Sequence, residues 1–353
     1  MKKSMRARAF APALSVLSLV CVSAFSQSPN PIGPEIVVTS NRRAMTADQV
    51  FQSVSLITRE EIEQSGAQSI MDLLSGLPGV SVGRSGGAGK ATSVYMRGTT
   101  TNQLLVLVNG VRVSAAGTGE FDWNAVLPEQ IEKIEIVRGP LASLYGSDAV
   151  GGVIQIFTRQ PQAGVSMAQT FGSYGTRQTD ISLGGGDDWI YGLRMGDKSI
   201  EGMQTVVNKA NRFGSHQKYV DGTLSRKLDG NTQLRLGLGY GEGYNNDEYG
   251  QNLFRSFSGF ARVEHATTQN WNQTLQLSSF GTNLAVPQGY PPGEFNTDRT
   301  ALSWLNVVTL PVGVASLGFE TWLDKVTKLD YSNSSNNVSK ELVTNAVYGQ
   351  YAT

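Results

Sequence analysis

The apolar positions of this chain follow two rhythms, and the change falls near residue 160. Before it, short β-branched runs are punctuated by glycine. Ile131–Arg138 reads as a strand that stops at Gly139-Pro140, a pair that cannot continue a ladder. Leu141–Tyr145 is helix-compatible up to Gly146, and Gly151-Gly152 release the chain into a second strand, Val153–Thr158. Charged residues share both faces of the first strand: Glu132 and Arg138 with Ile134 and Ile136, Lys133 and Glu135 with Ile131 and Val137. That mixture predicts a small domain enclosed by a polar wall rather than one resting on an oily core. Upstream, Leu104–Val108, Asn109-Gly110 and Val111–Val113 spell a hairpin with a two-residue turn. Thr58 with Glu61 makes a capping box that opens a helix. A second helix over about Ser69–Leu77 places Ile70, Leu73, Leu74 and Leu77 on one face and ends at Pro78-Gly79.

From Val165 onward the period is two. Thr232, Leu234, Leu236, Leu238 and Tyr240 fall on one face, and Gln233, Arg235, Gly237 and Gly239 on the other. Strands of about ten residues, apolar outward and polar inward, are the pattern of a membrane barrel. Trp271–Leu277 and Leu302–Val308 continue it less cleanly. Trp189, Tyr191, Trp271, Trp304 and Trp322 suit interfacial girdles and would equally serve a soluble sandwich core. Tyr244–Gln251 and Val286–Asn296 read as long polar loops.

The first residues change the compartment. Lys2, Lys3, Arg6 and Arg8 precede an apolar run from Phe10 to Val22 and then Ser23-Ala24-Phe25-Ser26, which is a secretory signal cut near Ser26–Gln27. The run is too short to span a membrane, which takes about 20 apolar residues. Bulky Val20 argues against lipidation of Cys21, the chain's one cysteine. Cleavage therefore leaves no thiol chemistry, and it takes four of the 29 basic residues against 29 acidic ones. No basic stripe is left to suggest nucleic acid. Nothing after Val22 is long and apolar enough for a transmembrane helix, so an exported chain of this kind is soluble or a β-barrel.

Enzyme chemistry finds no support. Gly79-Val80-Ser81-Val82-Gly83 matches a nucleophile elbow, but the residues after it (Arg84–Gly89) cannot form the helix that the elbow needs. Gly86–Lys90 hints at a phosphate loop, with Arg84 where the first glycine belongs and Ala91 where a hydroxyl belongs. His216 and His265 have no partner at metal-ligand spacing. No cofactor and no metal is implied.

Four motifs in order, SIMDLLSGLPGVSV, VYMRG, LLVLVNGVRV and IEIVRGPLASLYGSDAVGGVIQIFTR, resemble the plug domain of TonB-dependent outer-membrane receptors, and among these the cobalamin receptors. The resemblance covers Glu35 to about Arg159; beyond that only a pattern of barrel strands continues it. It implies an α+β plug domain followed by antiparallel transmembrane β-barrel strands, in a receptor of the Gram-negative outer membrane. The expected organisation is signal peptide 1–26, linker with TonB box 27–41, plug 42–160 and the first part of a barrel 161–353. The residues after Gln160 suffice for about ten strands, against about 22 in a closed, plugged barrel. Val347–Thr353 stops inside a strand without a terminal aromatic, so the barrel is expected to be incomplete here: a truncated receptor, or a split or decayed gene.

The resemblance also assigns residues. Glu35, Ile36, Val37, Val38, Thr39 and Ser40 look like the TonB box, an extended segment able to add a strand to the partner TonB; by pattern alone they serve equally as an ordinary first strand. Two loops are expected at the plug apex facing ligand, with Arg84, Ser85 and Lys90 in one and Thr118, Glu120, Phe121, Asp122 and Trp123 in the other. Arg97 and Arg138 each end a strand before glycine, which predicts an inward side chain and a structural ion pair; in the family, such arginines latch plug to barrel. Small and aromatic residues with balanced charge suit a bulky, nearly neutral ligand, a corrinoid before a ferric siderophore. No calcium-binding aspartate cluster stands near Asn208–Lys218, where only Asp247 and Glu248 are nearby. A non-transporting signalling receptor would need a folded domain before the box, and a passive porin is opposed by the whole plug-like stretch.

Overall fold

The computed structural model describes residues 36–37, 42, 45–46, 52–86, 90, 92–204, 212–246, 250–289 and 292–352. It contains a mixed α/β domain and, after it, one curved antiparallel sheet.

The domain is built on β3 (Ser53–Ile57), β6 (Leu104–Val108), β7 (Val111–Arg112), β8 (Ile131–Arg138) and β9 (Gly152–Thr158), in the order β3-β8-β9-β6-β7. All neighbours are antiparallel except β6 and β9, which run parallel. A separate hairpin joins β4 (Val80–Arg84) to β5 (Thr92–Met96), and a two-residue ladder pairs β1 (Ile36–Val37) with β2 (Met45–Thr46). Asn109 and Gly110 both take positive φ, as a type I′ turn requires, so the predicted β6–β7 hairpin forms as read.

The helices follow their caps. Thr58 and Glu61 close the predicted capping box on α1 (Arg59–Ser65), and Gly66 ends it in the left-handed conformation. α2 spans Ile70–Leu74 with Ser69 as N-cap; it is shorter than expected because Gly76, at positive φ, turns the chain before Pro78. α3 is the single turn Ala142–Tyr145.

The expectation that the sheet would not rest on an oily core is corrected by its packing. Ile134, Ile136, Ile154 and Ile156 are buried against Ile62, Ile70 and Leu74, while Leu105, Val137 and Val153 are buried under Leu141, Leu144 and Tyr145. Both faces therefore rest on apolar layers, because α1 and α2 cover one side and the α3 segment the other. A bulge between Ile131 and Lys133 brings Ile131 onto the face of Ile134 and Ile136, which strict alternation denied it. Fully buried Glu135 is tolerated through an ion pair with Lys133 Nζ at 2.7 Å.

The second part is a ten-stranded meander. β10 (Gly164–Gly172), β11 (Thr176–Gly185), β12 (Trp189–Met203), β13 (Phe213–Lys227) and β14 (Thr232–Asn246) come first. β15 (Gln251–Thr268), β16 (Trp271–Val286), β17 (Gly293–Leu310), β18 (Gly313–Asp330) and β19 (Val338–Ala352) follow, each strand pairing with the next. The sheet is not closed: β10 and β19 are its two ends. One rim carries the short connections 186–188, 228–231, 269–270 and 311–312; the other carries the remaining, mostly longer ones. The two long loops expected there are shorter than read, since the ladder runs to Asn246↔Gln251 and Val286↔Gly293. Polar residues extend these strands because alternation is required only where one face meets apolar surroundings.

The alternation of β14 is borne out: Leu238 and Tyr240 are exposed on the outer face, and Gly241 lies inward beside the Ala125 carbonyl. Trp189, Tyr191, Trp271 and Trp304 also lie exposed, near the short-connection rim. Trp322 does not join them. It faces inward beneath the Arg112 guanidinium, 4.8 Å from the ring centroid, because its position on β18 has the same parity as buried Asp324.

Candidate functional site

Two groups of contacts dominate between domain and sheet. The first surrounds Glu320, an inward side chain of β18. Arg42, in the turn between β1 and β2 with φ of 53°, pairs with Glu320 and donates to Tyr348 Oη at 2.7 Å. Its guanidinium lies 4.2 Å from the ring centroids of both Tyr145 and Tyr348. Arg112 reaches the same carboxylate at 3.4 Å and donates to the Tyr145 carbonyl at 2.5 Å. One sheet carboxylate therefore holds two buried arginines, one of them five residues beyond Val37. Burial pushes the Arg42 guanidinium down, and Glu320 together with Tyr145 and Tyr348 more than offsets it, so that Arg42 stands above its ordinary value. Burial likewise draws Arg112 down, Glu320 opposing, and the net result stays below the ordinary value.

The second group binds the domain chiefly by its main chain. Arg194 donates to the Glu129 carbonyl at 2.8 Å, Lys198 to Gln68 at 2.8 Å, Arg262 to Asn109 at 2.6 Å and Arg299 to Ser114 at 3.3 Å. Arg299 is itself oriented by a bidentate pair with Asp324, at 2.6 and 3.1 Å. Gln130 donates to Asp221 at 2.7 Å. Sequence reading missed these cations, although their signal is present: in WIYGLRMGDK, Arg194 and Lys198 occupy the inward parity between outward Leu193, Met195 and Asp197. Between domain and sheet, beside Gly239, Gly241 and Phe121, a cavity of about 50 Å³ remains. It has room for a few waters and not for a nutrient.

The expected apical residues separate into two sets. Arg84, Ser85, Thr118 and Glu120 are exposed. Arg84 pairs with Asp72 at 2.6 Å, and Glu120 accepts from Thr101 Oγ1 at 2.6 Å. Burial raises the Asp72 carboxyl, but Arg84 and Ser69 outweigh it and hold the group below its usual range. Phe121 and Trp123, by contrast, are buried edge-to-face with centroids 5.0 Å apart, inside the apolar layer that holds α2. They fill the core because large rings gain most from leaving water. Half-buried Asp122 caps the turn after it through Asn124 N at 3.0 Å; burial raises its carboxyl, the bonds from Asn124 opposing. Lys90 is buried as well, donating to the Asn246 carbonyl at 2.7 Å over the ring of Phe213. Trp123→Ala is accordingly expected to destabilise the domain by about 3–5 kcal/mol. Protease resistance of the domain against denaturant checks this; a variant as resistant as wild type would return Trp123 to the ligand surface.

Among the described residues no carboxylate pairs with Arg97 or Arg138, the arginines expected to form a structural ion pair. Arg138 is held by hydroxyls, Ser55 Oγ at 2.7 Å and Ser53 Oγ at 3.4 Å, and Arg97 is exposed, its backbone in the left-handed region before Gly98. Burial and then the like charge of Arg97 lower the Arg138 guanidinium. Of the expected box, Ile36 and Val37 form β1; Glu35, Val38, Thr39 and Ser40 lie outside the described residues, as do Asp247 and Glu248. Gly83 lies within β4, so the Gly79–Gly83 match leads into a strand, not an elbow.

Residues 46–153 match the family model described as the TonB-dependent receptor plug domain. The chain carries a TonB-dependent receptor plug. The vitamin B12 transporter BtuB of Photobacterium profundum is 43% identical over 193 residues, 55% of this chain and 29% of that protein. Among solved structures, the siderophore receptor PirA of Acinetobacter baumannii superposes with a TM-score of 0.69 at 18% identity, covering 84% of this chain and 54% of that one. The ferripyoverdine receptor of the Pseudomonas aeruginosa outer membrane gives 0.67 at 15% identity, over 90% and 51%. These structures share the fold: a plug followed by part of a receptor barrel. The chain spans about half the length of the solved receptors and less than a third of the curated relative.

Proposed function

We propose that this chain belongs to a receptor for energy-coupled uptake of a scarce nutrient across the Gram-negative outer membrane, with a corrinoid as cargo. The carrying observation is a plug fastened to a lipid-facing wall, a combination that a passive pore does not need. The cargo rests on the 43% identity to a vitamin B12 transporter; the superposed siderophore receptors are too remote in sequence to outweigh it. Support also comes from the exposed apex, where Arg84, Ser85, Thr118 and Glu120 balance in charge instead of clustering cations for an anionic chelate. The signal sequence leads to export, and the short-connection rim faces the periplasm.

In this reading Glu35–Ser40 is the segment that TonB grips by strand addition, and ligand at the apex biases its availability without covalent chemistry. Arg97 and Arg138, which crowd each other with like charge, would gain most from carboxylates on a facing wall. The test is binding of labelled cyanocobalamin, against a panel of ferric siderophores, to the full-length receptor in outer membranes. Saturable corrinoid binding is expected. Siderophore binding alone would overturn the cargo and favour the ferric-siderophore reading.

A further inference from the structure

The outer face of the sheet carries a second pattern above its apolar rows. On β12 to β15, four outward residues stand directly opposite one another across the ladder: Asp197↔Lys218, Lys218↔Glu242 and Glu242↔Arg255. One outward row nearer the short-connection rim, β17 to β19 repeat the alternation with Asp298↔Lys325 and Lys325↔Glu341. Charge thus changes sign from strand to strand within each group of this belt, with the neutral Asn283 and Gly281 of β16 between the two groups. Beneath the belt on β12, the outward positions Trp189, Tyr191, Leu193 and Met195 are apolar or aromatic. Asp197 lies eight residues from Trp189, about 26 Å along the strand and about 20 Å in height at a 40° tilt, close to the thickness of a barrel's apolar band.

Asp197 and Glu242 have close partners, whereas among the described residues Lys218, Arg255 and Lys325 have none within hydrogen-bond length. Tyr240 Oη donates to Glu242 at 2.7 Å, and His216 Nε2 lies 3.0 Å from Asp197. Lys218 stays 3.9 Å from Asp197, Arg255 3.6 Å from Glu242 and Lys325 3.8 Å from Glu341, all beyond hydrogen-bond length. Their side chains are 59%, 70% and 54% exposed, so their N–H groups are turned outward at the level where a lipid leaflet changes from hydrocarbon to headgroup.

We propose that this belt is a docking surface for phosphate-bearing lipid headgroups of the leaflet on the long-connection side, with Lys218, Arg255 and Lys325 as the donors. A phosphate oxygen supplies the charge-assisted acceptor that the loose carboxylate partners leave open, and an apolar wall beneath takes the acyl chains. The proposal rests on reading the sheet as a lipid-facing barrel wall, and its test keeps the two apart. The full-length receptor is reconstituted in phosphatidylcholine with spin-labelled phosphatidic acid or spin-labelled phosphatidylcholine, and the motionally restricted fraction of each is compared. Wild type is expected to enrich phosphatidic acid by about fivefold at low salt, falling in high salt. Lys218→Gln, Arg255→Gln and Lys325→Gln together should bring the ratio close to one, while Glu242→Gln should raise it. Equal enrichment in wild type and the triple variant, or none in wild type, would overturn the docking surface. Absence of any restricted lipid with either label would overturn the wall reading itself.

Discussion

Val38→Pro is expected to reduce nutrient uptake to background while leaving ligand binding at its wild-type level. The reason is the chemistry of strand addition. A partner that grips Glu35–Ser40 along its backbone needs the N–H groups of that segment, and proline removes one and fixes its φ. Ile36 and Val37 already run extended, pairing with Thr46 and Met45, so the segment supports ladder geometry. Val38→Ala keeps every backbone group and should be far milder. Uptake of labelled cargo by cells, beside equilibrium binding to their outer membranes, separates coupling from recognition. Equal uptake by the proline variant and wild type would show that this stretch is an ordinary strand and not the gripped segment.

Much of the fold was legible because its signals are local. The Thr58–Glu61 box, the Asn109-Gly110 turn and the glycines around α3 each specify backbone geometry within a few residues. The apolar-out period of β14 needed only the neighbours of each residue. What escaped depends on distant partners or on a local slip of register. The bulge after Ile131 moved that side chain to another face, and Trp322 turned inward because parity outranks an aromatic's preference for an interface. Phe121 and Trp123 sit in a loop, where aromatic residues suggest recognition, yet an apolar layer beneath the loop claimed them. Of the residues expected at the apex, Arg84, Ser85, Thr118 and Glu120 are exposed, while Lys90, Phe121 and Trp123 are buried. Arg42 gave least warning of all: its carboxylate is 278 positions away, and nothing in the residues around it marks it for burial.

That distant pair carries the second large effect. Glu320→Gln keeps the shape of the side chain and removes its charge, leaving Arg42 and Arg112 buried beside each other without a carboxylate between them. Removing one partner of a buried ion pair costs about 3–5 kcal/mol, because the remaining charge has already lost its water. Here the cheapest relief is local. Arg112 keeps the Tyr145 carbonyl, Asp148 at 3.8 Å and the Trp322 ring, whereas among the described residues Arg42 keeps the two tyrosines, and it sits on a turn anchored by a two-residue ladder. The β1–β2 turn should therefore leave the wall before the plug does. A spin label at position 37 is expected to become mobile in Glu320→Gln, and the plug to keep its protease resistance. Tyr348→Phe loses a single hydrogen bond and keeps the ring, so its effect should be within about 0.5–1.5 kcal/mol. Combining Arg42→Ala with Glu320→Gln should add little mobility to either change alone, since both release the same contact. A label as immobile in Glu320→Gln as in wild type would mean that the tyrosine rings, and not the carboxylate, hold the segment to the barrel.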